Sequence, residues 1–298
     1  MTPGRLLVLC TMIFSAGCVR QEASPQTACV EGALDQPELA DGVAVFTALE
    51  GVGEARSGWL NSRDGQSVLA MASLTKPLVA AEVRRRVQAG SLDLEQPIRD
   101  LLPGAALAPK TASITLRQLL QHQAGFDRGA GDPLFAYDPP SCSRAAREVM
   151  ARPPERAAGQ QVLYSNAGYC ILGEILLKNP SGVDPTMIRA LQSPLGAAGG
   201  WRGSLRQLHA ALYATLPLSE LPAEPALPDG SHYAYAWRSW PKSLEGPRWS
   251  HFGRLPGMLS LAVSDGEGSL LVAHFTGDPA DVDAAGAAAA ASLWSCMK

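Results

Sequence analysis

The spacing of apolar residues changes along the chain and predicts different elements in different parts of it. Residues 43–49 form an apolar, β-branched run that predicts a strand, and we expect a second short strand at 58–60. From Ser73 onwards apolar residues recur at helical spacing as far as Gly90, a residue type that often ends helices. They are Leu78, Val79, Val83 and Val87. The pattern therefore predicts that Ser73 opens a helix with one buried face.

The middle of the chain is predicted to be mostly helical. Thr115 is followed three residues later by Gln118, the signature of a capping box, in which each side chain bonds the other residue's backbone N–H. The stretch 126–141 is rich in Gly, Pro and Asp and is predicted as a loop. The predicted helical stretches are 116–121, 145–151, 167–178 and the one that Ser204 caps.

The last part of the chain returns to strands. Four runs rich in β-branched and aromatic residues predict an antiparallel meander, and an Ala-rich helix follows Asp281. The runs are 233–237, 249–252, 258–263 and 270–275. Because strands occur at both ends, the sheet must combine the two ends of the chain. We predict an α+β fold, an α/β sandwich with an antiparallel sheet flanked by helices. It divides into a sheet subdomain (31–70 and 229–298) and an inserted all-helical subdomain (71–228).

The first residues predict an export signal. Arg5 precedes a short apolar run, and small residues then lead to Cys18. We predict a signal peptide at 1–17, a lipidated Cys18 and a polar tether over 18–30. A simple secretory peptide is the alternative, because Ser15 stands where lipoprotein signals usually have leucine. The expected location is the bacterial cell envelope or periplasm, with the protein anchored to a membrane through Cys18.

The remaining cysteines agree with export. Four follow Cys18, and an even number in an oxidising compartment indicates disulfides, although four cysteines allow three connectivities. We prefer Cys29–Cys296, which joins the chain ends, together with Cys142–Cys170; four separate buried thiols are the alternative. No cysteine or histidine cluster has the spacing of zinc ligands, so we expect neither a metal nor another cofactor.

Composition and missing motifs exclude other classes. The 298 residues carry a formal charge of −3 from 25 basic and 28 acidic side chains, without a basic block, so nucleic acid is not an expected partner. No apolar run has the length of a membrane-spanning helix. The chain contains no G-x-S-x-G, H-E-x-x-H or G-x-x-x-x-G-K-[ST] motif, which disfavours an α/β-hydrolase, a zincin metalloprotease and a P-loop protein.

The candidate chemistry begins with the sequence Ser73-Leu74-Thr75-Lys76. Residues three apart lie on one face of a helix, so the lysine amine would sit beside the serine hydroxyl, and burial would lower the lysine pKa. The motif is weak by itself, because 239–242 and 295–298 also match S-x-x-K. The first of these contains a proline, and the second is the last turn of the chain. Other segments of the chain must show whether Ser73 and Lys76 form a catalytic pair.

Four segments match one family in order and spacing. They are 71–77 (MASLTKP), 116–125 (LRQLLQHQAG), 164–169 (YSNAGY) and 251–257 (HFGRLPG). With them the chain resembles the serine β-lactamase-related family, which includes class C β-lactamases, D-alanyl-D-alanine carboxypeptidases and esterase relatives. The resemblance covers residues 40 to 295, and it implies a β-lactamase/transpeptidase-like fold and catalysis through an acyl-enzyme.

The resemblance implies roles for the matching residues. Ser73 would be the nucleophile, and Lys76 and Tyr164 would handle its proton; the sequence leaves open which of the two is the base. Asn166 would hold Lys76 and the substrate's amide or ester oxygen. Taken singly, Tyr164 could be a packed aromatic residue and Asn166 the N-cap of the following helix. His122 would support the fold rather than the chemistry.

The strand motif departs from the family pattern. Lys or His, then Thr or Ser, then Gly is usual, whereas this chain has His251-Phe252-Gly253. The missing hydroxyl normally helps to bind a substrate carboxylate, and histidine is a weaker cation than lysine at neutral pH. His251 and Gly253 would line the substrate site, and the backbone N–H groups of Ser73 and Arg254 would form the oxyanion hole. With an abbreviated stretch at 195–204, these departures favour ester-like or small substrates.

Three functions follow as hypotheses. The first is an exported serine hydrolase that acts on a peptidoglycan-type D-Ala peptide, a β-lactam or a small ester. The second is a carboxylesterase-type activity without β-lactamase activity. The third is a non-catalytic cell-envelope binding module, which the intact set of Ser73, Lys76, Tyr164 and Asn166 disfavours. Expected partners are a small-molecule or peptidoglycan-derived substrate and, through a lipid on Cys18, the membrane.

Overall fold

The structure, a computed structural model, describes residues 24–48, 51–58, 66–128, 132, 138–221, 225–242 and 245–298. The predicted signal peptide and Cys18 lie outside these residues. Residues 25–30 of the predicted tether belong instead to a helix, which begins at Pro25. Pro25 has the φ that a first helical residue needs, and the Ser24 hydroxyl accepts a hydrogen bond from the N–H of Thr27.

Strands from both ends of the chain form one antiparallel sheet of seven strands, in the order β2-β1-β9-β8-β7-β6-β5. The strands are β1 (Asp41–Ala48), β2 (Gly51–Arg56), β3 (Leu69–Ala70), β4 (Arg202–Gly203), β5 (His232–Ala234), β6 (Trp237–Ser239), β7 (Trp249–Leu255), β8 (Met258–Ser264) and β9 (Leu270–Thr276). The short strands β3 and β4 pair separately. The pairing of β1 with β9, for example Val45 with Val272, joins the two chain ends as predicted.

Helices fill the chain between the two halves of the sheet and pack on one of its faces, while the first and last helices pack on the opposite face. They are α1 (Pro25–Ala33), α2 (Thr75–Gln88), α3 (Ile98–Leu101), α4 (Pro109–Ala112), α5 (Leu116–Leu120), α6 (Cys142–Met150), α7 (Asn166–Lys178), α8 (Pro185–Gln192), α9 (Gly196–Gly199), α10 (Leu205–Tyr213) and α11 (Val282–Ser295). The capping box of Thr115 and Gln118 is present as predicted. Within the described ranges, none of these helices has the length and hydropathy needed to cross a membrane.

The two faces of the sheet bury different cores. In β8, Leu259, Leu261 and Val263 belong to a cluster that includes residues of α1 and α11. Ala262 faces the opposite way and joins the larger core shared with the helical part. Side chains alternate across a sheet, so cross-strand partners share a face. Residues of β7 paired with Ala262 and Ser260 therefore face the helical part, and this positions the site described below.

Two strand predictions differ from the structure. The second strand is β2 rather than 58–60, of which 59–60 lie outside the described residues. Ala48 pairs directly with Gly51, so β2 must follow β1 at once. The predicted strand 233–237 is a hairpin instead, because Tyr235 and Ala236 have φ of 48° and 74° and turn the chain between β5 and β6. Neither Tyr nor Ala is typical of such a turn.

Two disulfides link distant elements. Cys29 in α1 pairs with Cys296, next to the end of α11, and Cys142 in α6 pairs with Cys170 in α7. This is the pairing preferred from the sequence. The first bridge fixes the N-terminal helix to the C-terminal one across 267 residues of sequence separation.

Replacing both Cys29 and Cys296 by serine is expected to lower the free energy of unfolding by about 2–5 kcal/mol. The bridge closes a very long loop, so its loss frees the unfolded chain and releases α1. Urea unfolding of the oxidised proteins measures the difference. The matched control is wild type in reductant, which loses both bridges and must be destabilised at least as much. A loss below about 1 kcal/mol would contradict this role.

Candidate active site

Ser73 lies in a tight turn at the start of a helix. The 3₁₀ turn Ala72–Leu74 leads directly into α2, so the serine precedes the regular helix by two residues. Thr75 pins the turn, because its Oγ1 donates to the Ala72 carbonyl at 2.7 Å and accepts from the N–H of Trp201 at 3.0 Å. Ala72 has a φ of 45°, a left-handed backbone conformation that a residue with a side chain adopts only under constraint. The turn thus holds Ser73 in a defined orientation.

Lys76 is fully buried and contacts three oxygen atoms. Its Nζ lies 2.9 Å from Ser73 Oγ, 2.8 Å from Asn166 Oδ1 and 2.6 Å from the Ala198 carbonyl oxygen. Burial is the main cause that lowers the pKa of Lys76 to about 7, and the charge of Asp132 opposes it. A neutral amine fits this geometry, since two N–H groups can donate to the amide and the carbonyl while the lone pair faces the serine hydroxyl.

Tyr164 is the second candidate base beside Ser73. Lys76 Nζ lies 5.0 Å from the centroid of its ring. Burial raises the pKa of Tyr164 well above its usual value, against a smaller opposite effect of the nearby Ser73 hydroxyl. The phenol therefore keeps its proton at neutral pH, and of the two candidate bases only Lys76 has a pKa near neutrality.

Asn166 is not the N-cap of the following helix. Ser165 caps α7, because its hydroxyl accepts from the N–H of Gly168. The cap leaves the Asn166 side chain available for Lys76, and the backbone N–H of Asn166 donates to Asp132 Oδ2 at 2.8 Å. The first turn of α7 therefore connects a buried carboxylate to the Lys76 site.

The sequence pattern did not point to two charged residues near the site. Asp132 is buried, and Arg128 is exposed with its guanidinium carbon 5.4 Å from the centroid of the Tyr164 ring. Both fall in the predicted loop 126–141, where no periodicity assigns a direction to a side chain. The Ala198 carbonyl in α9 was missed too, because a backbone group carries no sequence signal. Among the described residues, no cluster of His, Cys, Asp and Glu has the arrangement of a metal site.

Strand β7 passes close to the Ser73 turn. A Cβ on Gly253 would lie 2.4 Å from the Met71 carbonyl oxygen and 3.2 Å from the Ser73 nitrogen, so only glycine permits this approach. His251 and Gly253 pair with Ala262 and Ser260 and share the face toward the helical part. The Arg254 side chain is exposed and extends toward Asp278, 4.0 Å away, so Arg254 can serve the site only through its backbone.

His251 is neutral in this environment. Its Nδ1–H donates to the Phe252 carbonyl at 2.9 Å, and burial, together with the charge of Lys76, lowers its pKa to about 3. Phe252 faces the opposite side of the sheet, where its ring packs against Gly286 of α11. The phenylalanine ring therefore does not line the site, contrary to the expectation that it shapes the substrate preference. The substrate preference depends instead on the lack of a positive charge at His251.

Neutralising Asp132 and neutralising Arg128 should shift the pKa of Lys76 in opposite directions. A base must be unprotonated, so kcat/KM should rise with pH through the Lys76 pKa of about 7. Asp132 raises this pKa and Arg128 lowers it. Asp132→Asn should shift the acid limb of the kcat/KM profile to lower pH, and Arg128→Gln should shift it to higher pH.

Salt provides an internal control for this pair. The exposed Arg128 charge is screened more than the buried Asp132 charge, so added salt should diminish the Arg128→Gln shift first. Shifts of both variants in the same direction, measured with one substrate over pH 5 to 9, would contradict Lys76 as the titrating group.

The sheet, the inserted helices and the serine–lysine turn define a β-lactamase/transpeptidase-like protein. The profile of the family described as Beta-lactamase matches residues 39–196, just over half of the chain. The chain belongs to this serine β-lactamase-related family, and at the family level it is a serine hydrolase.

Curated relatives share part of the chain. A probable fimbrial assembly protein FimD (serogroup H1) of Dichelobacter nodosus is 33% identical over 131 residues, which are 41% of this chain and 33% of that protein. Penicillin-binding protein 4 of Amycolatopsis lactamdurans is 29% identical over 170 residues, 52% of this chain and 43% of that protein. The chain thus spans between a third and a half of the length of these relatives.

Solved structures share the fold over most of the chain. A D-amino acid amidase from Ochrobactrum anthropi SV3 superimposes with a TM-score of 0.72 at 17% identity, covering 92% of this chain and 98% of that one. A D-stereospecific amidohydrolase from Streptomyces sp. has a TM-score of 0.63 at 19% identity, with 87% and 96% covered. At these identities the likeness establishes the fold alone.

Proposed function

We propose that the chain is an exported serine hydrolase that cleaves small amides or esters through an acyl-enzyme on Ser73. The observation that carries this proposal is the environment of Lys76. Its buried Nζ contacts Ser73 Oγ, Asn166 Oδ1 and the Ala198 carbonyl, with a pKa of about 7. A binding module would gain nothing from the cost of burying an ionisable amine beside a serine.

In the first step Lys76 acts as the general base. Its neutral amine takes the Ser73 proton while Oγ bonds to the substrate carbonyl carbon. The negative charge moves to the carbonyl oxygen. The backbone N–H groups of Ser73 and Arg254 would stabilise this oxyanion, and the close approach of β7 at Gly253 supports that placement.

In the second step Tyr164 acts as the general acid. The carbonyl re-forms, the bond to the leaving nitrogen or oxygen breaks, and the leaving atom takes the phenol proton. The resulting phenolate recovers a proton from the Lys76 ammonium, so the net transfer runs from Ser73 to the leaving group. The raised pKa of Tyr164 supports this role, because the phenol holds its proton until the leaving group needs it. Water then hydrolyses the acyl-enzyme by the same transfers in reverse.

The substrate class follows from the charges around Ser73. His251 is neutral, and all three Lys76 contacts are internal, so neither presents a cation at β7, where the family pattern places its carboxylate-binding motif. The exposed Arg128 guanidinium lies against the Tyr164 ring instead. The lack of a positive charge at His251 disfavours β-lactams and D-Ala termini, which carry carboxylates, and favours small uncharged amides and esters. The structural similarity to amidases of D-amino acid derivatives is in line with a small amide.

We further propose that Cys18 is lipidated and anchors the exported protein to a membrane, with a peptidoglycan-derived fragment as an alternative source of substrate.

Labelling and paired substrates test this proposal. A fluorophosphonate should label the wild type and not Ser73→Ala, with Ser295→Ala as a matched control that keeps the label. A short-chain nitrophenyl ester should turn over faster than a D-Ala-D-Ala peptide. A folded protein without labelling would favour the binding module. Faster turnover of the peptide would overturn the substrate class and leave the nucleophile intact.

A further inference from the structure

His122 accepts hydrogen bonds from the backbone N–H groups of both neighbours of Tyr164. The backbone N–H of Leu163 donates to the His122 carbonyl oxygen at 2.7 Å, and the N–H of Ser165 donates to His122 Nδ1 at 3.1 Å. The imidazole ring itself lies against the Tyr164 ring, with centroids 4.3 Å apart and planes inclined by 30°. One residue therefore constrains the tyrosine from its two neighbours and from its ring face.

These contacts require a neutral imidazole of one tautomer. Nδ1 accepts a hydrogen bond, so it carries no proton, and the proton is on Nε2. Burial, with the nearby Lys76 charge, keeps the pKa of His122 well below its usual value, so the ring stays an acceptor throughout the neutral range. The ring is enclosed by aromatic residues, since Tyr169 and Tyr233 lie 5.0 Å and 4.8 Å from it between centroids.

The backbone at His122 is also unusual. Its φ of 56° is in the left-handed region, a conformation that strains a non-glycine residue. Gly would adopt this conformation without strain, yet it could supply neither the Nδ1 acceptor nor the ring contact. The conformation turns the chain after α5 so that both the carbonyl and the ring face residues 163–165.

We propose that His122 is a positioning residue for Tyr164, which keeps the phenol hydroxyl beside Ser73 by holding the backbone N–H groups of Leu163 and Ser165. This goes beyond support of the fold. It rests on the proposed role of Tyr164 as the acid that protonates the leaving group. The consequence is specific: loss of His122 should harm substrates whose leaving group needs a proton more than substrates whose leaving group does not.

The test compares two substrates with the same acyl group, a nitrophenyl ester and an alkyl amide. In His122→Phe the ring is kept and the Nδ1 acceptor is lost. We expect kcat/KM, which reports acylation and not the deacylation step that the two substrates share, to fall for the amide by about 10-fold to 100-fold, and at least tenfold more than for the nitrophenyl ester. In His122→Asn the side-chain oxygen can take the place of Nδ1, and Asn tolerates a positive φ, so this variant should recover most of the amide activity.

Tyr164→Phe is the reference variant for this comparison of substrates. It should show the same leaving-group preference, and the double variant with His122→Phe should be no slower on the amide than Tyr164→Phe alone, because both changes remove one function. If Tyr164→Phe lowers kcat/KM equally for both substrates, the proposed role of Tyr164 fails. If Tyr164→Phe shows the preference and His122→Phe lowers kcat/KM equally for both substrates, or the two effects add, only the role of His122 fails.

Thermal unfolding separates positioning from stability. A purely structural His122 would lower Tm without changing the ratio of amide kcat/KM to ester kcat/KM. Should His122→Phe not fold, His122→Gln replaces it, because its side-chain oxygen extends beyond the Nδ1 position. An unchanged amide-to-ester ratio in His122→Gln would overturn the proposal, and a reduced ratio would support it.

Discussion

Lys76→Met is expected to lower kcat/KM by about 10²-fold to 10⁴-fold, the range that a general base contributes. Methionine fills nearly the same volume as lysine but has no basic lone pair, so the Ser73 proton would have no acceptor at 2.9 Å. The change also leaves Asn166 Oδ1 and the Ala198 carbonyl without their donor. The decrease should therefore accompany a modest loss of stability. Steady-state kinetics with a nitrophenyl ester measures it.

A matched lysine serves as the control for this prediction. Lys178 donates to the Leu101 carbonyl at 3.3 Å and lies at the opposite end of α7 from Asn166. Lys178→Met should leave kcat/KM near the wild-type value. Retention of more than about a tenth of the activity in Lys76→Met would mean that Lys76 is not the base.

Gly253→Ala is expected to lower kcat by about 10²-fold to 10³-fold, the range for losing one oxyanion-hole donor. The new Cβ would lie 2.4 Å from the Met71 carbonyl oxygen and 3.2 Å from the Ser73 nitrogen. Both atoms are backbone, so β7 must move away from the turn. That movement would withdraw the N–H of the next residue, Arg254, from the carbonyl that Ser73 attacks.

Gly268→Ala is the control for Gly253→Ala, because a Cβ at Gly268 meets no atom within 4 Å. It should retain wild-type kcat. The kinetics of both variants are compared with their Tm values. A Gly253→Ala protein that loses only stability, with kcat unchanged, would show that the β7 backbone takes no part in the reaction.

Local chemistry made part of the molecule predictable. The capping box of Thr115 and Gln118 is present because its partners are three residues apart. The proximity of Ser73 and Lys76 follows from helical spacing in the same way. The arrangement of the sheet was predictable because strands occurred only toward the two ends of the chain, and the pairing of β1 with β9 realises it.

The rest depends on tertiary structure. Asp132 influences Lys76 from a loop whose path no residue pattern encodes. Phe252 was expected to influence the substrate preference from its place in a motif, but strand alternation directs it to the opposite face. The choice between Lys76 and Tyr164 as the base depends on how burial shifts each pKa, and burial is a property of the folded chain.

Mass spectrometry of the covalent adduct tests the central claim most directly. Wild-type protein and Ser73→Ala are exposed to a panel of activated esters and β-lactams, quenched in acid, and mapped by peptide. The account predicts one acyl adduct on the peptide that carries Ser73, formed by esters faster than by β-lactams and absent from Ser73→Ala. An adduct on another residue, or an undiminished adduct in Ser73→Ala, would contradict it.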